Sequence, residues 1–359
     1  MTTTAALTDL LTARIRAEGP ITIADYMADC LLHPQLGYYA TRDPLGAKGD
    51  FITAPEISQM FGELIGLALA QAWIAQGRPR PFTLAEPGPG RGTLMADLLR
   101  ATRGVAGFHD AAQVTLIEAS PVLREAQRAR LADHAPRWIE SAAQLPEAPL
   151  FLIANEFFDA LPIRQFQREA TGWAERRVAL EHDRLALALS APAEIPALAH
   201  RLADTRPGNV VELCPAAAPV MAEIAGRIAN HGGAALIVDY GDWRSLGDTL
   251  QALRAHQPVG ILECPGDADL TAHVDFEPLA QTAHRAGAHT APLVGQGLFL
   301  ERLGITARAQ ALARNLSGRA LDELVATHRR LRHPEEMGTL FKVLGLFPGS
   351  ASPPPGLEQ

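Results

Sequence analysis

The amino-acid sequence predicts an α/β fold with a doubly wound, mainly parallel sheet. Short apolar runs recur along the chain, and patterns with helical spacing fill most of the gaps between them. Strands that alternate with helices in this way are typical of βαβ units, whose strands pair in parallel. The runs that we predict to be strands are FTLAE (82–86), VTLIE (114–118), a weaker RWIES (137–141), PLFLIAN (149–155), NVVEL (209–213), AALIVDY (234–240) and, as an antiparallel last strand, TLFKVLGLF (339–347).

Helices are predicted where apolar residues are spaced three and four apart. The N-terminal stretch MTTTAALTDLLTARIRAEG predicts the first helix. The segment GDFITAPEIS (49–58) predicts the start of another, with Thr53 as its cap and Pro55 in its first turn, and this helix should run to Gly77. Later helices are predicted over TLMADLLRAT (93–102), SPVLREAQRARLADH (120–134) and AAAPVMAEIAGRIANHG (216–232).

Two segments interrupt the alternation of strands and helices. Residues 163–189 alternate in polarity around a Thr-Gly turn and an Asp183-Arg184 turn, which predicts antiparallel strands inserted into the core. Residues 242–273 are punctuated by Gly and Pro and predict a long functional loop with a short helix. The regions that we predict are an N-terminal helical extension or lid (1–60), a core (61–348) with insertions at about 163–208 and 242–273, and a mobile tail (349–359).

Composition and charge exclude several classes of protein. The chain has 359 residues, a formal net charge of −8, 47% hydrophobic residues and 20% charged residues, which excludes a largely disordered chain. The acidic balance argues against nucleic acid or an anionic membrane as the main partner. No apolar stretch approaches the length of a membrane span, and the N-terminus has the pattern of neither a secretory signal nor a transit peptide. We therefore expect a soluble, cytoplasmic protein.

The clearest chemical motif is EPGPGRG, between the first predicted strand and the helix after it. Glu86 precedes Gly88, Gly90 and Gly92, and glycines let a backbone turn tightly and approach a ligand closely. The dinucleotide fingerprint needs a glycine where Thr93 stands, and no Gly-Lys-Ser/Thr of a P-loop is present. The remaining candidate is the glycine turn of class I S-adenosylmethionine (SAM) methyltransferases, with these four residues as cofactor-binding residues.

Glu118 follows the second predicted strand and supports a nucleoside ligand. A carboxylate at this place can accept hydrogen bonds from both ribose hydroxyls. Nicotinamide dinucleotides and SAM both carry ribose, so Glu118 indicates a nucleoside cofactor without choosing between them. The alternative is that the glycine turn is purely structural.

Polar residues follow the strand PLFLIAN, at the edge of a parallel sheet where α/β proteins bind ligands. Asn155, Glu156 and Asp159 lie there, and we predict them to be catalytic. Two carboxylates beside a SAM sulfonium would suit a cationic acceptor such as a guanidinium, which they would hold at two points. The alternative for Asn155 and Asp159 is that they cap the following turn.

Several blocks of sequence resemble the MidA-type family of SAM-dependent proteins, which is linked to the assembly of respiratory complex I. The resemblance extends over nearly the whole chain. The blocks that carry it are GPITIADYMADCLLHPQLGYYA (19–40), GDFITAPEISQMFGELIG (49–66), EPGPGRGTLMADLLR (86–100), NEFFDALPIRQF (155–166), VDYGDWR (238–244), GDADLTAHVDF (266–276) and MGTLFKVL (337–344).

The resemblance implies a class I methyltransferase core, SAM as the cofactor and a protein substrate. In this family the reaction is methylation of an arginine in the 49-kDa-type subunit of complex I, or the corresponding NADH dehydrogenase subunit of a bacterium. The family's amino-terminal block falls on residues 49–56, which we expect to fold over the cofactor, and Thr53 is therefore counted among the cofactor-binding residues. The chain starts almost at the first family block, which favours a bacterial, cytoplasmic member.

Two other functions stay open at this point. One is a non-catalytic assembly chaperone that retains the SAM fold, and the intact glycine turn argues against it. The other is a methyltransferase with a different small-molecule or protein acceptor, because Glu156 and Asp159 could bind any cation. The sequence leaves the oligomeric state open.

Several other signals are weaker. We predict no metal site, because Cys30, Cys214 and Cys264 form no CxxC pair and the spacing in GDADLTAHVDF matches no ligand motif. The acids of that segment suit helix caps better. The side chains that stay candidates for a pocket, lid or docking surface are His273 and Asp275, Trp243, Tyr38 and Tyr39, and the basic cluster RRLRH (329–333).

Overall fold

The computed structural model describes residues 3–41 and 53–358. Its α-helices are α1 (Thr3–Glu18), α2 (Ile23–Leu32), α3 (Tyr38–Thr41), α4 (Ala54–Ile57), α5 (Gln59–Ala75), α6 (Thr93–Thr102), α7 (Phe108–Ala111), α8 (Pro121–Arg130), α9 (Ala217–His231), α10 (Phe276–Arg285), α11 (Gln296–Arg302), α12 (Ile305–Ala313) and α13 (Arg319–Arg332). Short 3-10 turns lie at Ala132–His134, Ala142–Gln144 and Pro196–Leu202.

The strands are β1 (Ile21–Thr22), β2 (Phe82–Pro87), β3 (Ala112–Ile117), β4 (Arg137–Ile139), β5 (Leu150–Asn155), β6 (Arg164–Glu169), β7 (Gly172–Glu181), β8 (Arg184–Leu189), β9 (Val210–Leu213), β10 (Gly233–Asp242), β11 (Gln251–Arg254), β12 (Gln257–Val259), β13 (Asp269–Thr271), β14 (Val274–Asp275), β15 (His289–Thr290), β16 (Val294–Gly295) and β17 (Phe341–Phe347). In the part of the chain that the structure describes, no helix is both long and apolar enough to cross a membrane.

The chain divides into two compact units. The described residues of 52–158, 218–243 and 276–359 form the core unit, and those of 1–51, 159–217 and 244–275 form the accessory unit. The accessory unit therefore contains most of the N-terminal segment together with both predicted insertions, apart from residues 242–243. The residues from 53 to 60, which the sequence assigned to the N-terminal extension, belong to the core unit instead.

A mainly parallel sheet forms the centre of the core unit, in the order β15-β17-β10-β5-β2-β3-β4. The strands from β10 to β4 pair in parallel, and β17 pairs antiparallel with β10, with Val343 opposite Val238. Every residue of β2 and β5 is buried, as expected for parallel strands covered on both faces. The predicted α/β fold and the antiparallel last strand are confirmed.

Helices α5 and α6 pack closely because two glycines of α5 leave room. A Cβ atom on Gly62 would lie 2.7 Å from the Cβ of Asp97, and one on Gly66 would lie 2.9 Å from the Cα of Leu98. The single helix predicted from Pro55 to Gly77 is broken, because Ser58 is extended and caps α5, its Oγ accepting from Met60 N at 3.3 Å. Helix α4 is therefore a separate turn.

The accessory unit contains two antiparallel sheets. In one, β6 pairs with β7 and β9, and β7 pairs with β1 and β8, so the predicted antiparallel insertion is confirmed. Two predictions were wrong. The run NVVEL forms β9 of this sheet and not a strand of the parallel core. The predicted loop over 242–273 contains a three-stranded sheet, in the order β12-β11-β13.

The C-terminal tail is packed as far as Leu357, which corrects the prediction of a mobile tail. Leu357 is 1% exposed and belongs to the hydrophobic core of the core unit. A Cβ on Gly345 would lie 2.4 Å from Leu357 Cδ1, so the absence of a side chain in β17 makes room for the tail. The Gly356 carbonyl accepts a hydrogen bond from Arg302 Nη1 at 3.1 Å.

Candidate functional site

The glycine turn joins the end of β2 to the start of α6, in the core unit. Gly88, Gly90 and Gly92 have φ angles of +60°, +53° and +76°, in the left-handed region that side chains disfavour. Gly88 N donates to the Ile117 carbonyl at 3.0 Å, and a Cβ on Gly88 would lie 3.0 Å from the ring of Phe157. The turn therefore depends on glycine, and it lies at the carboxyl end of a central parallel strand, where α/β proteins bind ligands.

Glu86 is a buried carboxyl group with an unused acceptor atom. The side chain is 4% exposed, and Oε2 has no hydrogen-bond partner among the residues that the structure describes. Burial raises the pKa of Glu86 to about 8, although a backbone N–H of Met95 acts in the opposite direction. A cationic donor at Oε2 would satisfy this carboxyl group, so the site fits the ammonium group of an amino-acid ligand.

Glu118 follows β3 directly, and its carboxylate is fixed on both oxygens. Oε1 accepts from Ser120 N at 2.8 Å, and Oε2 accepts from Gln127 Nε2 at 3.2 Å. Burial raises the pKa of Glu118, and these two hydrogen bonds oppose that effect. Each carboxylate oxygen can accept a second hydrogen bond, so a pair of ribose hydroxyls would still find acceptors.

Gln127 connects the glycine turn to Glu118, and it is not among the residues predicted from the sequence. Its Nε2 also donates to the Gly90 carbonyl at 2.7 Å, and its Oε1 accepts from Trp138 Nε1 at 2.8 Å. One feature of the sequence does mark Gln127. Gln127 lies four residues after Leu123 in α8, so it is a polar residue in the apolar stripe of an amphipathic helix.

Asn155 ends β5, and Glu156 follows it with a φ angle of +49°. Glu156 N donates to the Val238 carbonyl at 2.9 Å, which holds this unusual backbone in place. Glu156 Oε1 accepts from Asn155 Nδ2 at 3.1 Å and from Ala54 N, at the start of α4, at 3.0 Å. Asn155 Oδ1 is buried and has no hydrogen-bond partner among the described residues. Glu156 therefore also anchors α4, a contact that the sequence did not predict.

Asp239 fixes the turn after β5, and it is a second residue that was not predicted from the sequence. The side chain is fully buried in β10. Its Oδ2 accepts from Phe157 N at 3.2 Å and from Phe158 N at 3.0 Å, and its Oδ1 accepts from Tyr240 N at 3.0 Å. The turn that carries Glu156 is thus held from the neighbouring parallel strand. The block VDYGDWR contained this residue but suggested no role for it.

Thr53 lies at the N-cap position of α4, but its side chain makes no capping hydrogen bond. The predicted side-chain cap is therefore wrong, whereas Pro55 does lie in the first turn. Glu56 connects α4 to the start of α6, directly after the glycine turn, because its Oε1 accepts from the Oγ1 of Thr93, the first residue of α6, at 2.5 Å. Thr53 is thus three residues from a side chain that contacts α6.

Asp159 belongs to the accessory unit, whereas the other predicted site residues belong to the core unit. It is 6% exposed, and its carbonyl accepts from Ala272 N at 3.0 Å. Tyr39 donates its hydroxyl to Asp269, at 2.9 Å from Oδ1 and 3.1 Å from Oδ2. Burial raises the pKa of Tyr39 well above its usual value, and the charges of Asp269 and Asp159 add to this. Asp269 and Tyr39 are thus structural partners beside Asp159.

Among the other residues singled out in the sequence, Asp275 and His273 make structural hydrogen bonds. Asp275 Oδ1 accepts from Ser245 N at 3.1 Å, and His273 donates its backbone N–H to Thr249 Oγ1 at 2.8 Å. Trp243 is 41% exposed. Within 3–41 and 53–358, no group of three or more His, Cys, Asp or Glu side chains could hold a metal ion.

Known proteins resemble this chain over most of its length. A family model for S-adenosyl-L-methionine-dependent methyltransferases matches residues 64–294. The mitochondrial protein arginine methyltransferase NDUFAF7 of Mus musculus is 39% identical, over 93% of this chain and 83% of that protein. The protein of that name from Xenopus laevis is 36% identical, over 96% and 85%.

A solved structure is also similar to this chain. It is that of a protein from Burkholderia thailandensis bound to S-adenosyl-homocysteine (SAH), which is 29% identical in sequence. The TM-score is 0.83, and the match covers 99% of this chain and 94% of that one. The methyltransferase resemblance that the sequence motifs indicated is therefore confirmed.

Proposed function

Because this chain belongs to the family of SAM-dependent methyltransferases, we propose that it transfers the methyl group of SAM to a nitrogen of an arginine side chain in a protein. The observation that carries this proposal is the buried Glu86 carboxyl group, whose Oε2 has no partner in the described chain, beside a turn in which three glycines have positive φ angles. Relatives named protein arginine methyltransferases supply the acceptor class.

The residues of the core unit fit the cofactor. Glu86 would accept hydrogen bonds from the ammonium group of its amino-acid part, and Glu118 would accept from the ribose hydroxyls. Gly88 and Gly90 would let the backbone approach it without a side chain in the way. When bound, SAM supplies an electrophilic methyl group on its sulfonium. The protein aligns the acceptor nitrogen with this group and excludes water.

Glu156, Asp159 and Asn155 are proposed to handle the acceptor. A guanidinium offers a planar set of N–H donors, and carboxylates bind it with charge-assisted, two-point contacts. Asn155 Oδ1 adds an acceptor that no described residue uses. Glu156 has a fixed backbone and an existing hydrogen bond from Ala54 N, so its carboxylate is held rigidly before any acceptor arrives.

We further propose that the substrate is the 49-kDa-type subunit of respiratory complex I, or its counterpart in a bacterial NADH dehydrogenase. The support is the sequence resemblance to the MidA-type family, in which that subunit is the acceptor. The cytoplasmic location stays a prediction, since the curated relatives are named as mitochondrial proteins. Mass spectrometry of the respiratory subunits, from cells with and without this protein, tests the acceptor. A methylarginine present in both samples would contradict it.

Replacing Glu156 by Gln tests the catalytic proposal. Gln can still accept the hydrogen bond from Ala54 N, so α4 should stay in place. We expect unchanged affinity for SAH. The methyl-transfer rate should fall by at least about 100-fold, because loss of the charge misaligns the acceptor. The measurement is single-turnover transfer from radiolabelled SAM to the purified subunit. Wild-type transfer by this variant would show that Glu156 does not contact the acceptor.

Asp159 allows a matched comparison. If Asp159 only caps the turn, Asn should replace it well, since Asn and Asp cap about equally. If it binds the guanidinium, Asp159→Asn should lose transfer as Glu156→Gln does.

The wild-type protein itself tests the alternative of a non-catalytic chaperone. SAH binding without methyl transfer to any respiratory subunit would favour the chaperone.

A further inference from the structure

Gln127 is a completely buried polar side chain that the proposed reaction does not use directly. It is 0% exposed, in a helix whose other face is solvated. Both hydrogens of its amide nitrogen are used, one by the Gly90 carbonyl and one by Glu118 Oε2, and its oxygen accepts from Trp138 Nε1. Burying an amide is unfavourable unless it is hydrogen-bonded, and here each amide atom has a partner.

The chemistry of its partners determines which way the Gln127 amide points. The Gly90 carbonyl and a Glu118 carboxylate oxygen can only accept, so the NH₂ group must face them. The indole N–H of Trp138 can only donate, so the amide oxygen must face it. A rotated amide would lose all three hydrogen bonds, and Trp138 therefore orients Gln127.

Both ends of this connection lie in the proposed cofactor site. The glycine turn has no side chains at Gly88, Gly90 and Gly92 with which to hold its own shape, so contacts to its backbone must do so. Glu118 has the opposite need, because a Glu side chain has three rotatable bonds and must be fixed to present its carboxylate. The Nε2 atom of Gln127 meets both needs, because it lies 2.7 Å from the Gly90 carbonyl oxygen and 3.2 Å from Glu118 Oε2.

We propose that Gln127 is a positioning residue, oriented by Trp138, that sets the distance between the glycine turn and the Glu118 carboxylate before the cofactor binds. This inference rests on the proposed assignment of Glu118 to the ribose. Gln127 itself does not touch the cofactor. It acts through Gly90 and Glu118, and its effect is on how well the ribose is recognised.

The test uses Gln127→Met, which keeps the length of the side chain and removes its hydrogen-bonding groups. Calorimetry compares SAH with its 2′-deoxy analogue. We expect SAH affinity to fall about 10- to 100-fold, the effect of losing a hydrogen bond to a charged group. We also expect the preference for SAH over the deoxy analogue to shrink toward one. A purely structural role would lower stability and leave this preference intact, and that result would overturn the proposal.

Trp138→Phe is the second variant, since it removes only the donor that orients the amide. We expect a smaller loss of SAH affinity, by about 3- to 10-fold. NMR of the ¹⁵N-labelled wild-type protein gives a second measurement. The indole N–H signal of Trp138 is identified by its absence from the spectrum of Trp138→Phe, and it should shift when SAH is added to the wild type. No shift, together with wild-type affinity in Trp138→Phe, would contradict the proposal even if Gln127→Met does not fold.

Glu118→Gln, measured in parallel, separates failure of this inference from failure of the site assignment. If Glu118→Gln loses the preference for SAH over the deoxy analogue and Gln127→Met keeps it, Gln127 does not position the site and Glu118 still binds ribose. If Glu118→Gln also keeps the preference, the assignment of Glu118 to ribose is wrong, and the inference that depends on it is wrong as well.

Discussion

Two glutamates of the core unit are equally buried but have opposite surroundings. Glu63 in α5 and Glu86 in β2 are each 4% exposed. Glu63 Oε2 accepts from Arg308 Nε at 2.7 Å, and its Oε1 accepts from Arg308 Nη2 at 3.0 Å and from Arg100 Nη1 at 2.8 Å. Glu86 contacts no arginine in the described chain, and its Oε2 has no partner there.

The pKa values of the two glutamates move in opposite directions because their neighbours differ. Burial alone would raise the pKa of Glu63, but the hydrogen bonds from Arg308 and Arg100 outweigh it, and the pKa is lowered. Burial raises the pKa of Glu86 to about 8, because one backbone N–H does not compensate for the lost hydration. Burial alone therefore does not distinguish Glu63, which is paired within the protein, from Glu86, which is proposed to bind the ligand. The distinguishing feature is whether the protein itself supplies the positive charge.

The largest expected effect is on ligand binding. Glu86→Gln should weaken SAH binding by about 100-fold, because it removes a charge-assisted hydrogen bond to the ligand's ammonium group in a buried site. Glu63→Gln is the matched control with the same chemical change, and it should leave SAH affinity unchanged. Isothermal titration calorimetry measures both. Equal losses in the two variants would show that Glu86 acts through the fold and not through the ligand.

The second effect is on stability, and its sign should reverse between the two sites. Glu63→Gln should lower the free energy of unfolding by about 1–2 kcal/mol, a value discounted because the two arginines are about 40% exposed. Glu86→Gln should raise it by about 1–2 kcal/mol near pH 9, because the wild type then buries an unpaired charge. Urea unfolding of the protein without cofactor measures both. A destabilised Glu86→Gln protein would mean that a partner already satisfies the carboxylate.

Much of the core unit could be predicted from the sequence, because its signals are local. The apolar runs within β2, β3, β5 and β10 are buried, and the EPGPGRG motif combines a strand end, three positive φ angles and a helix start. The run NVVEL was assigned to the wrong sheet because a short apolar run does not encode its partner. Its pairing with β6 depends on residues more than forty positions away.

Candidate residues of the site could be predicted where their position at a strand end marks them, and not where a role depends on hydrogen bonds to distant segments. Glu86 and Glu118 follow from their places at strand ends. Gln127 and Asp239 act through hydrogen bonds to segments far along the chain, and neither residue type is distinctive by itself. The contact of Glu156 with Ala54 N has the same origin.

The third and smallest effect is on the pH dependence of stability. Below about pH 4.5, Glu86 is neutral in the folded and unfolded chain, and its burial has no electrostatic effect. Between pH 4.5 and about 8 the unfolded chain ionises while the folded chain keeps its proton, so Glu86 lowers stability progressively as pH rises. Glu63 has a lowered pKa, so its stabilising effect is present above its usual pKa of 4.5 and is lost as pH falls through the folded value.

Proton release on SAH binding measures directly whether Glu86 carries a proton in the protein without cofactor. Near pH 7 most Glu86 carboxyl groups carry a proton in the protein without cofactor, and an ammonium group at Oε2 should displace it, releasing up to about one proton per SAH bound. Titrations in buffers with different ionisation enthalpies give this number. The release should disappear in Glu86→Gln and persist in Glu63→Gln. Undiminished release in Glu86→Gln would show that the proton comes from another group, and that the ligand's ammonium does not meet Glu86.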